Sequence, residues 1–261
     1  MRFEALDARM HVFETANDYC VLPGIYIVAR LKVKNLTNLL RKNGKFKTVY
    51  DEALCDIMLT TTEHLMNCGL NITYAHYQTD EISLLLAFEE YGFARQTIPI
   101  ISTLVSEASV KLSFLLNEIA CFEGRISQLP NLNEVVNYFQ WRSEYSQRQA
   151  LYAHCLLALQ REGKTSVQAN RILEGLGFSE RKKLLLEKGL NFYYVPTWQK
   201  QGVGLYWQTY HKLTNYQGEN TPLKTRRIRR DFDLPMLDAY TSFLVNLIKQ
   251  NQDIGKKLST R

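Results

Sequence analysis

The chain has 261 residues, 46% of them hydrophobic and 22% charged, with a formal net charge of +6. This composition excludes a disordered chain, and the length excludes a fold that depends on disulfides or metal ions for its stability. Five cysteines without a C-x-x-C pair give no pattern for a zinc or redox site, so we expect reduced and mostly buried thiols. No signal segment opens the chain and no apolar run approaches the roughly 18 residues of a membrane span, which predicts a cytoplasmic protein with no membrane partner.

The first half of the chain predicts four strands and two helices. Runs of β-branched and apolar residues predict the strands, and apolar residues at helical spacing predict the helices. In chain order these are a strand over 25–31, a helix over 53–65, strands over 71–78 and 82–88, a helix over 98–117 and a strand over 120–126. The order β-α-β-β-α-β is the ferredoxin-like arrangement, and by analogy of fold it is also the palm of many nucleotidyltransferases and nucleotide cyclases.

The second half of the chain is predicted to be mainly helical. The predicted helices cover 133–160, 166–173, 179–188 and 237–248, residues 202–210 are typical of a late strand or hairpin arm, and the polar residues 211–223 predict a loop. The predicted fold class is therefore α+β, a ferredoxin-like palm with a helical C-terminal extension and a late hairpin. We expect residues 1–160 to form the palm core and 161–261 a helical and hairpin lobe, together in one continuous globular unit.

Two groups of charged residues stand out from this framework. Asp80 and Glu81 lie together in the bend between the second and third predicted strands. A run of five cations in seven residues follows the predicted loop, and 181–183 form a shorter basic cluster. Lysine and arginine pair with phosphates and release counterions, so the longer run indicates a polyanionic partner. Its candidate nucleic-acid-binding residues are Lys224, Arg226, Arg227, Arg229 and Arg230.

The acidic bend resembles a known signature. Gln78-Thr79-Asp80-Glu81-Ile82-Ser83 is similar to the Gln-Ser-Asp-Glu-x-Ser signature of the tRNA(His) guanylyltransferase family, particularly of its bacterial 3′–5′ polymerase-like branch. Further segments resemble that branch in the same order and extend the likeness over nearly the whole chain. They are residues 13–16, 21–26, 63–69, 125–130, 138–144, 196–204, 226–228 and 234–236.

The resemblance implies a palm-fold enzyme, usually tetrameric, that adds nucleotides to the 5′ end of a tRNA, using GTP or ATP and two magnesium ions. Carboxylates from two strands would hold the ions, because magnesium prefers hard oxygen ligands. In the family one ligand is an Asp at the end of the first strand, in Arg-Leu-Asp-Gly-Arg, and the other is the Asp of the bend, which is Asp80 here. The resemblance also implies nucleotide contacts for Arg125, Arg142 and the position of Gln147.

The chain departs from the family pattern where the first strand ends. The segment reads Arg30-Leu31-Lys32-Val33, so Lys32 stands at the position of the metal ligand and Val33 replaces a glycine. An ammonium group has no lone pair and cannot coordinate a cation. Because a palm fold would bring this strand end beside the bend, we expect Lys32 to neutralise Asp80 and Glu81 in part, where a magnesium ion would have stood.

A second departure follows the segment Trp141-Arg142-Ser143-Glu144. The family continues with an Asp and, two residues on, a His, whereas this chain has Tyr145 and Gln147. Neutral side chains cannot supply the same charge or proton transfer near pH 7. The losses fall at catalytic positions and the framework is kept, which favours a chain that retained the fold and lost the reaction.

Three functions stay open from the sequence. The first is a non-catalytic tRNA- or nucleotide-binding subunit that assembles as a homotetramer or with an intact paralogue. The second is an active tRNA 5′-end nucleotidyltransferase, either with one metal ion held by Asp80 and Glu81 or with a site completed by another subunit. The third is a palm protein that senses GTP or ATP through residual triphosphate contacts.

Overall fold

The computed structural model describes residues 3–46, 48–216 and 219–259 of the chain. The described strands are β1 Tyr26–Val33, β2 Ile72–Gln78, β3 Glu81–Leu86, β4 Phe122–Leu129, β5 Val203–Tyr216 and β6 Glu219–Asp231. They form one antiparallel sheet in the order β4-β1-β3-β2-β5-β6. The order of the first four strands, with helices between β1 and β2 and between β3 and β4, confirms the predicted ferredoxin-like palm.

The predicted helices are present, and three further helices appear, one before β1, one after β1 and one before β5. The described helices are α1 Phe3–Glu14, α2 Leu36–Asn43, α3 Glu52–Met66, α4 Thr97–Leu116, α5 Leu132–Arg161, α6 Ser166–Leu173, α7 Phe178–Glu187, α8 Thr197–Gln201 and α9 Asp238–Ser259. The three without a sequence prediction are α1, which has no buried residue, α2, which has eight residues, and α8, which has five. Their apolar faces are too short or too exposed to give a periodic signal.

The prediction of a loop over residues 211–223 is wrong. Antiparallel pairing of β5 with β6 continues without a break in register from Gly204↔Asp231 to Tyr216↔Glu219. The polar composition of this segment misled the prediction, because the backbone hydrogen bonds of a hairpin do not require apolar side chains. As a result the basic run 224–230 lies in a strand at the edge of the sheet.

The sheet separates two layers of helices. Alternate residues of β1 point to opposite faces, as the period of a strand requires. Ile27, Ala29 and Leu31 pack into a core with α3 and α4, whereas Val28 packs on the other face with α5 and α9. A third apolar cluster joins α5 to α6 and α7. The face of β1 that carries Val28 also carries Arg30 and Lys32, and this alternation directs both cations toward α5.

Helix α4 departs from the expectation about apolar runs. Among the described residues, α4 is the one helix that is both long enough and apolar enough to cross a membrane, judged by length and composition only. Its buried stripe, which includes Ile100, Leu104 and Leu112, packs into the core below the sheet. An apolar core helix passes the same length and composition test, so the expectation that no run approaches this length is corrected.

The expectation of mostly buried cysteines holds only in part. Cys55 and Cys155 are buried and Cys68 is half-buried, but Cys20 and Cys121 are exposed, and all five thiols are free. Cys20 lies in an isolated bridge before β1, and Cys121 directly precedes the edge strand β4. Segments at the rim of the sheet have one open side, and apolar patterning along the chain does not report that exposure.

A buried histidine on β2 makes the stability of the fold depend on pH. One His76 ring nitrogen lies 2.6 Å from the carbonyl oxygen of Gln201. Burial, and to a lesser degree the positive charge of Arg142, lowers the pKa of His76 from 6.5 to about 4, although the hydrogen bond to Gln201 opposes the shift. The unfolded chain therefore binds a proton between pH 6.5 and about 4 that the folded chain does not accept.

We expect the free energy of unfolding to fall by about 2 kcal/mol between pH 7 and pH 5, since the folded state excludes this proton. Urea unfolding at both pH values measures the difference. His76→Gln should flatten the dependence without abolishing it, because burial also lowers the pKa of His154. His11→Gln on the exposed helix α1 is the matched control and should keep the full slope. An unchanged slope in His76→Gln would contradict this assignment.

Candidate functional site

The acidic bend between β2 and β3 lies beside the end of β1, as predicted. The strand register places Lys32 directly opposite Glu81. The Nζ atom of Lys32 lies 3.5 Å from Oδ2 of Asp80 and 3.3 Å from Oε1 of Glu81. Lys32 therefore lies within ion-pair distance of both carboxylates, as expected of a group that neutralises them in part.

Glu81 has two further cationic partners that the sequence analysis did not predict. Arg142 of α5 donates a hydrogen bond from Nη2 to Oε2 of Glu81, and Nη1 of Arg30 lies 3.7 Å from the same oxygen. The Arg142 side chain is 2% exposed and the Glu81 side chain 6%. One carboxylate thus holds a buried guanidinium and two further cations, which makes Glu81 a structural centre of the site.

Two aromatic rings flank the guanidinium of Arg142. Its central carbon lies 4.9 Å from the ring centroid of Trp141 and 4.8 Å from that of Tyr145. Contacts of this kind stabilise a cation that has left water. The sequence signal for this burial was available, because Tyr138, Arg142 and Tyr145 recur at helical spacing on one face of α5. Arg142 is directed at Glu81 and away from solvent, so Arg125, exposed on β4, is the more accessible of the two predicted phosphate contacts.

An open cavity of about 440 Å³ lies beside the bend. Its walls come from the end of β1, the start of α2, the bend itself and one face of α5. They include Lys32, Asn35, Asp80, Tyr145 and Gln149. The volume lies within the range of small-ligand pockets. Thus the space for a small ligand is present beside the bend.

The charges at this cavity influence one another. Burial alone would lower the pKa of Lys32, but Asp80 and Glu81 more than offset it and raise that pKa above its ordinary value. Burial raises the pKa of Asp80, although the positive charge of Lys32 opposes the shift. The ammonium of Lys32 is therefore held in its charged form, and it only partly compensates Asp80 for the loss of solvent.

These residues do not fit a pair of magnesium ions. Among the described residues no group of three or more His, Cys, Asp or Glu side chains could hold a metal ion. Asp80 is the one carboxylate on the described wall of the cavity, and Lys32 lies within ion-pair distance of it. A cation placed there would meet an ammonium group that offers no lone pair. The donor set is thus one carboxylate and one competing positive charge.

Gln147 does not lie at this cavity. It projects from a different side of α5 and lines a separate cavity of about 360 Å³ that also contains Lys182 and Lys200. The separation follows from helix geometry, because positions two apart point in nearly opposite directions. The structure therefore places Tyr145 and Gln147, neighbours in the predicted catalytic motif, in two different pockets.

The basic run on β6 is divided between the two faces of the sheet. Arg230 points toward α3, where its guanidinium pairs with Asp56 and Glu63 at 2.5 and 2.7 Å. Those hydrogen bonds raise the pKa of Arg230 and occupy its donors. Arg226 lies over the ring of Trp207 on the same side of the strand.

The other arginines of the run lie on the opposite side of β6. Arg229 is 6.0 Å from the ring centroid of Tyr206 and 3.8 Å from Asp231, and Arg227 is exposed. The side chain of Lys224 lies outside the described residues. Strand alternation thus divides a run that is contiguous in sequence, and its role in binding nucleic acid stays a prediction.

Comparisons with known proteins agree with this architecture. The family model for tRNAHis guanylyltransferase (Thg1) matches residues 7–131. A probable tRNA(His) guanylyltransferase from Bos taurus is 26% identical over 210 residues, covering 76% of this chain and 70% of the relative. The tRNA(His) guanylyltransferase of Schizosaccharomyces pombe is 24% identical, over 70% of this chain and 73% of the relative.

Solved structures show the same fold. A bacterial Thg1-like protein in complex with ATP is 21% identical, covers 93% of this chain and 98% of its own, and superposes with a TM-score of 0.73. The structure of the tRNA(His) guanylyltransferase from Saccharomyces cerevisiae is 22% identical in sequence. The match covers 74% of this chain and 90% of the yeast chain, with a TM-score of 0.66. At this identity the superpositions support the palm fold alone.

Proposed function

Because the chain belongs to the tRNA(His) guanylyltransferase family, we propose that it binds tRNA or a nucleotide as a member that no longer adds nucleotides by a two-metal mechanism. The observation that carries the proposal is the position of the Lys32 ammonium, 3.3 Å from Glu81 and 3.5 Å from Asp80. A phosphoryl transfer that depends on two divalent cations needs oxygen ligands from both strands, and here one strand supplies a positive charge.

Three features support retained binding. The cavity beside the bend remains open at about 440 Å³, and Arg125 and Arg227 are exposed. The relatives are named for their action on tRNA(His), and the solved bacterial relatives are complexes with ATP or GTP. Binding to phosphates should weaken steeply as salt is added, because cations of the protein replace the counterions of the RNA. Assembly as a homotetramer or with an intact paralogue, and a cytoplasmic location, stay predictions.

The experiment measures incorporation of labelled GTP onto 5′-monophosphorylated and 5′-truncated tRNA with magnesium, together with tRNA binding over a series of salt concentrations. We expect binding by the natural chain and no incorporation above the blank. Lys32→Asp with Val33→Gly tests whether the lost ligand can be restored. Lys34→Asp, an exposed change of the same charge two residues further on, is the matched control.

Incorporation by the natural chain that disappears in Asp80→Ala would overturn the proposal and establish the active alternative. Absence of tRNA binding alongside a shift in thermal unfolding with GTP or ATP would favour the nucleotide-sensing alternative. If Lys32→Asp with Val33→Gly incorporates no GTP, the proposal stands only if that variant still binds tRNA. Binding shows that the variant is folded and contacts its partner.

A further inference from the structure

Helix α1 displays large apolar side chains that its own chain does not cover. The helix has 12 residues and none of them is buried. Its four largest apolar residues in a single row are 43% to 77% exposed; they are Phe3, Leu6, Met10 and Phe13. An isolated helix of about this length is marginal in water, because most helical stability comes from an apolar face packed against another element. A row of uncovered apolar side chains on such a helix therefore indicates an interaction surface.

The four residues follow the spacing of a coiled-coil seam. They recur at steps of three, four and three residues, which are positions a, d, a and d of two heptads. A seam of this kind is narrower than the apolar stripe of a helix packed on a globular core, and it fits one facing helix. Two heptads are too few to predict a coiled coil from the sequence alone, and the exposure of the whole row in the structure is the added observation.

The charges beside the seam favour a second copy of α1 in parallel orientation. Asp7 and Glu14 occupy e positions and Arg9 a g position. In a parallel pair the g residue of one helix faces the following e residue of the other, so Arg9 of each copy would face Glu14 of the other copy. In an antiparallel pair, g faces g and e faces e, and like charges would meet. Among the ion pairs of the described residues Arg9 takes no part, and Glu14 meets only the exposed His11 at 3.3 Å.

Exposed apolar residues continue directly after α1. Tyr19 is 65% exposed and Leu22 is 69% exposed. Both are fixed to the segment that begins α4, because the carbonyl oxygen of Tyr19 accepts a hydrogen bond from the backbone of Thr97 and that of Leu22 accepts one from Arg95. A parallel pair brings the two copies of this segment to the same end of the helices, where they can cover one another. An antiparallel pair would place them at opposite ends.

Other occupants fit the row less well. A membrane surface favours cations on the polar face of a helix, whereas α1 carries three carboxylates and one arginine. An unrelated protein would need a matching seam with the opposite charges beside it. A second copy of α1 already has both, and such a self-complementary surface closes as a symmetric pair.

We propose that α1 pairs in parallel with α1 of a second copy of this chain. Phe3, Leu6, Met10 and Phe13 form the seam, and Arg9 of each copy pairs with Glu14 of the other. The inference goes beyond the proposed function and does not depend on it, because α1 contributes no residue to the cavity beside the bend or to the cavity that contains Gln147.

Sedimentation velocity of the full chain over a series of concentrations measures the self-association. Met10→Lys places an ammonium group in the seam and should weaken the pairing about 10-fold or more, because both helices lose an apolar contact and the two lysines repel each other. Val12→Lys is the matched control. It adds the same charge to the same helix at a residue that is 67% exposed and lies outside the seam, so it should keep the natural Kd. Unfolding midpoints of both variants check that they fold.

A pair of charge variants tests the partner and its direction. Arg9→Glu and Glu14→Arg each make the facing charges alike, and each should weaken the pairing about 5-fold to 30-fold, the effect of reversing two exposed ion pairs. An equimolar mixture of the two variants restores opposite charges across the pair and should associate as the natural chain does. Recovery on mixing excludes a folding defect as the cause of the loss, since neither chain has changed.

Equal association of Met10→Lys and Val12→Lys, or a natural chain that stays monomeric, would overturn the inference. A loss in Met10→Lys without any effect of the two charge variants would assign the row to a different apolar surface, such as the exposed residues Val110 and Phe114 of α4, and also overturn it. If Met10→Lys loses pairing and still binds tRNA, the inference stands together with the proposed function. Absence of tRNA binding by the natural chain would refute the proposed function alone.

Discussion

Glu81→Gln is expected to lower the free energy of unfolding by about 3 to 5 kcal/mol, the usual cost of removing one member of a buried ion pair. The change leaves the guanidinium of Arg142, which is 2% exposed, without its negative partner. It also removes the carboxylate shared by Arg30 and Lys32. Urea unfolding of both proteins at pH 7 measures the difference, with the dependence on urea concentration as a check that both unfold in two states.

Asp80→Asn is the matched control for this prediction. Asp80 lies in the same bend and pairs with the same lysine, but its side chain is 30% exposed and burial raises its pKa. Neutralising it should cost at most about 1 kcal/mol, because burial already disfavours the charged form of Asp80 and its partner Lys32 is 40% exposed. Equal losses from Glu81→Gln and Asp80→Asn would contradict the central position of Glu81. Glu81→Leu combined with Arg142→Met should recover part of the loss, since no unpaired charge then remains buried.

Gly202→Ala is expected to lower the free energy of unfolding by about 3 kcal/mol or more, because backbone strain and overpacking each cost about 1 to 3 kcal/mol. Gly202 joins α8 to β5 with φ +83° and ψ −170°, a conformation open almost only to glycine. A Cβ atom would lie 2.3 Å from the carbonyl oxygen of Tyr77 and 2.8 Å from Nε2 of His76. Thermal and urea unfolding measure the loss.

Gly163→Ala is the control for a positive φ without a close contact. Its φ is +86°, close to that of Gly202, but a Cβ atom there would meet nothing within 4 Å. The cost should therefore be about 1 to 2 kcal/mol, that of a left-handed backbone alone. If both alanine variants lose the same stability, close approach of the β2 backbone to Gly202 is not a source of strain. A larger loss in Gly202→Ala is expected from the close approach together with the ψ of −170° at Gly202, and the pH dependence of that variant should also change, because His76 bonds to the neighbouring Gln201.

The fold was largely predictable because its signals are local. Apolar spacing in α3, α4 and α5 and the β-branched run of β1 each report which face of an element is buried, and each element was predicted within a few residues. The loop wrongly predicted over residues 211–223 has a physical cause. The hairpin of β5 and β6 is stabilised by pairing of its backbone with a partner strand, and side-chain composition does not report that pairing.

The sequence alone determined the identity of the key residues at the candidate site. Lys32 at the end of β1, the carboxylates of the bend, and Tyr145 and Gln147 after Glu144 can all be read directly from the sequence. The contact between Lys32 and the bend also followed, because a palm topology places β1 beside β3 and a strand register then brings opposite residues together. The resemblance to a palm fold therefore allowed the sequence to predict the contact between Lys32 and the bend.

Only the tertiary structure decided which charges are buried together. The partnership of Arg142 with Glu81 joins residues 61 positions apart, and its strength comes from a burial that depends on how α5 crosses the sheet. In the same way Tyr145 and Gln147 project from different sides of α5 and line different cavities. Strand alternation likewise divides the basic run of β6 between two faces of the sheet. Spacing along the chain sets the direction of each side chain relative to its own element, but the packing of elements sets what that side chain meets.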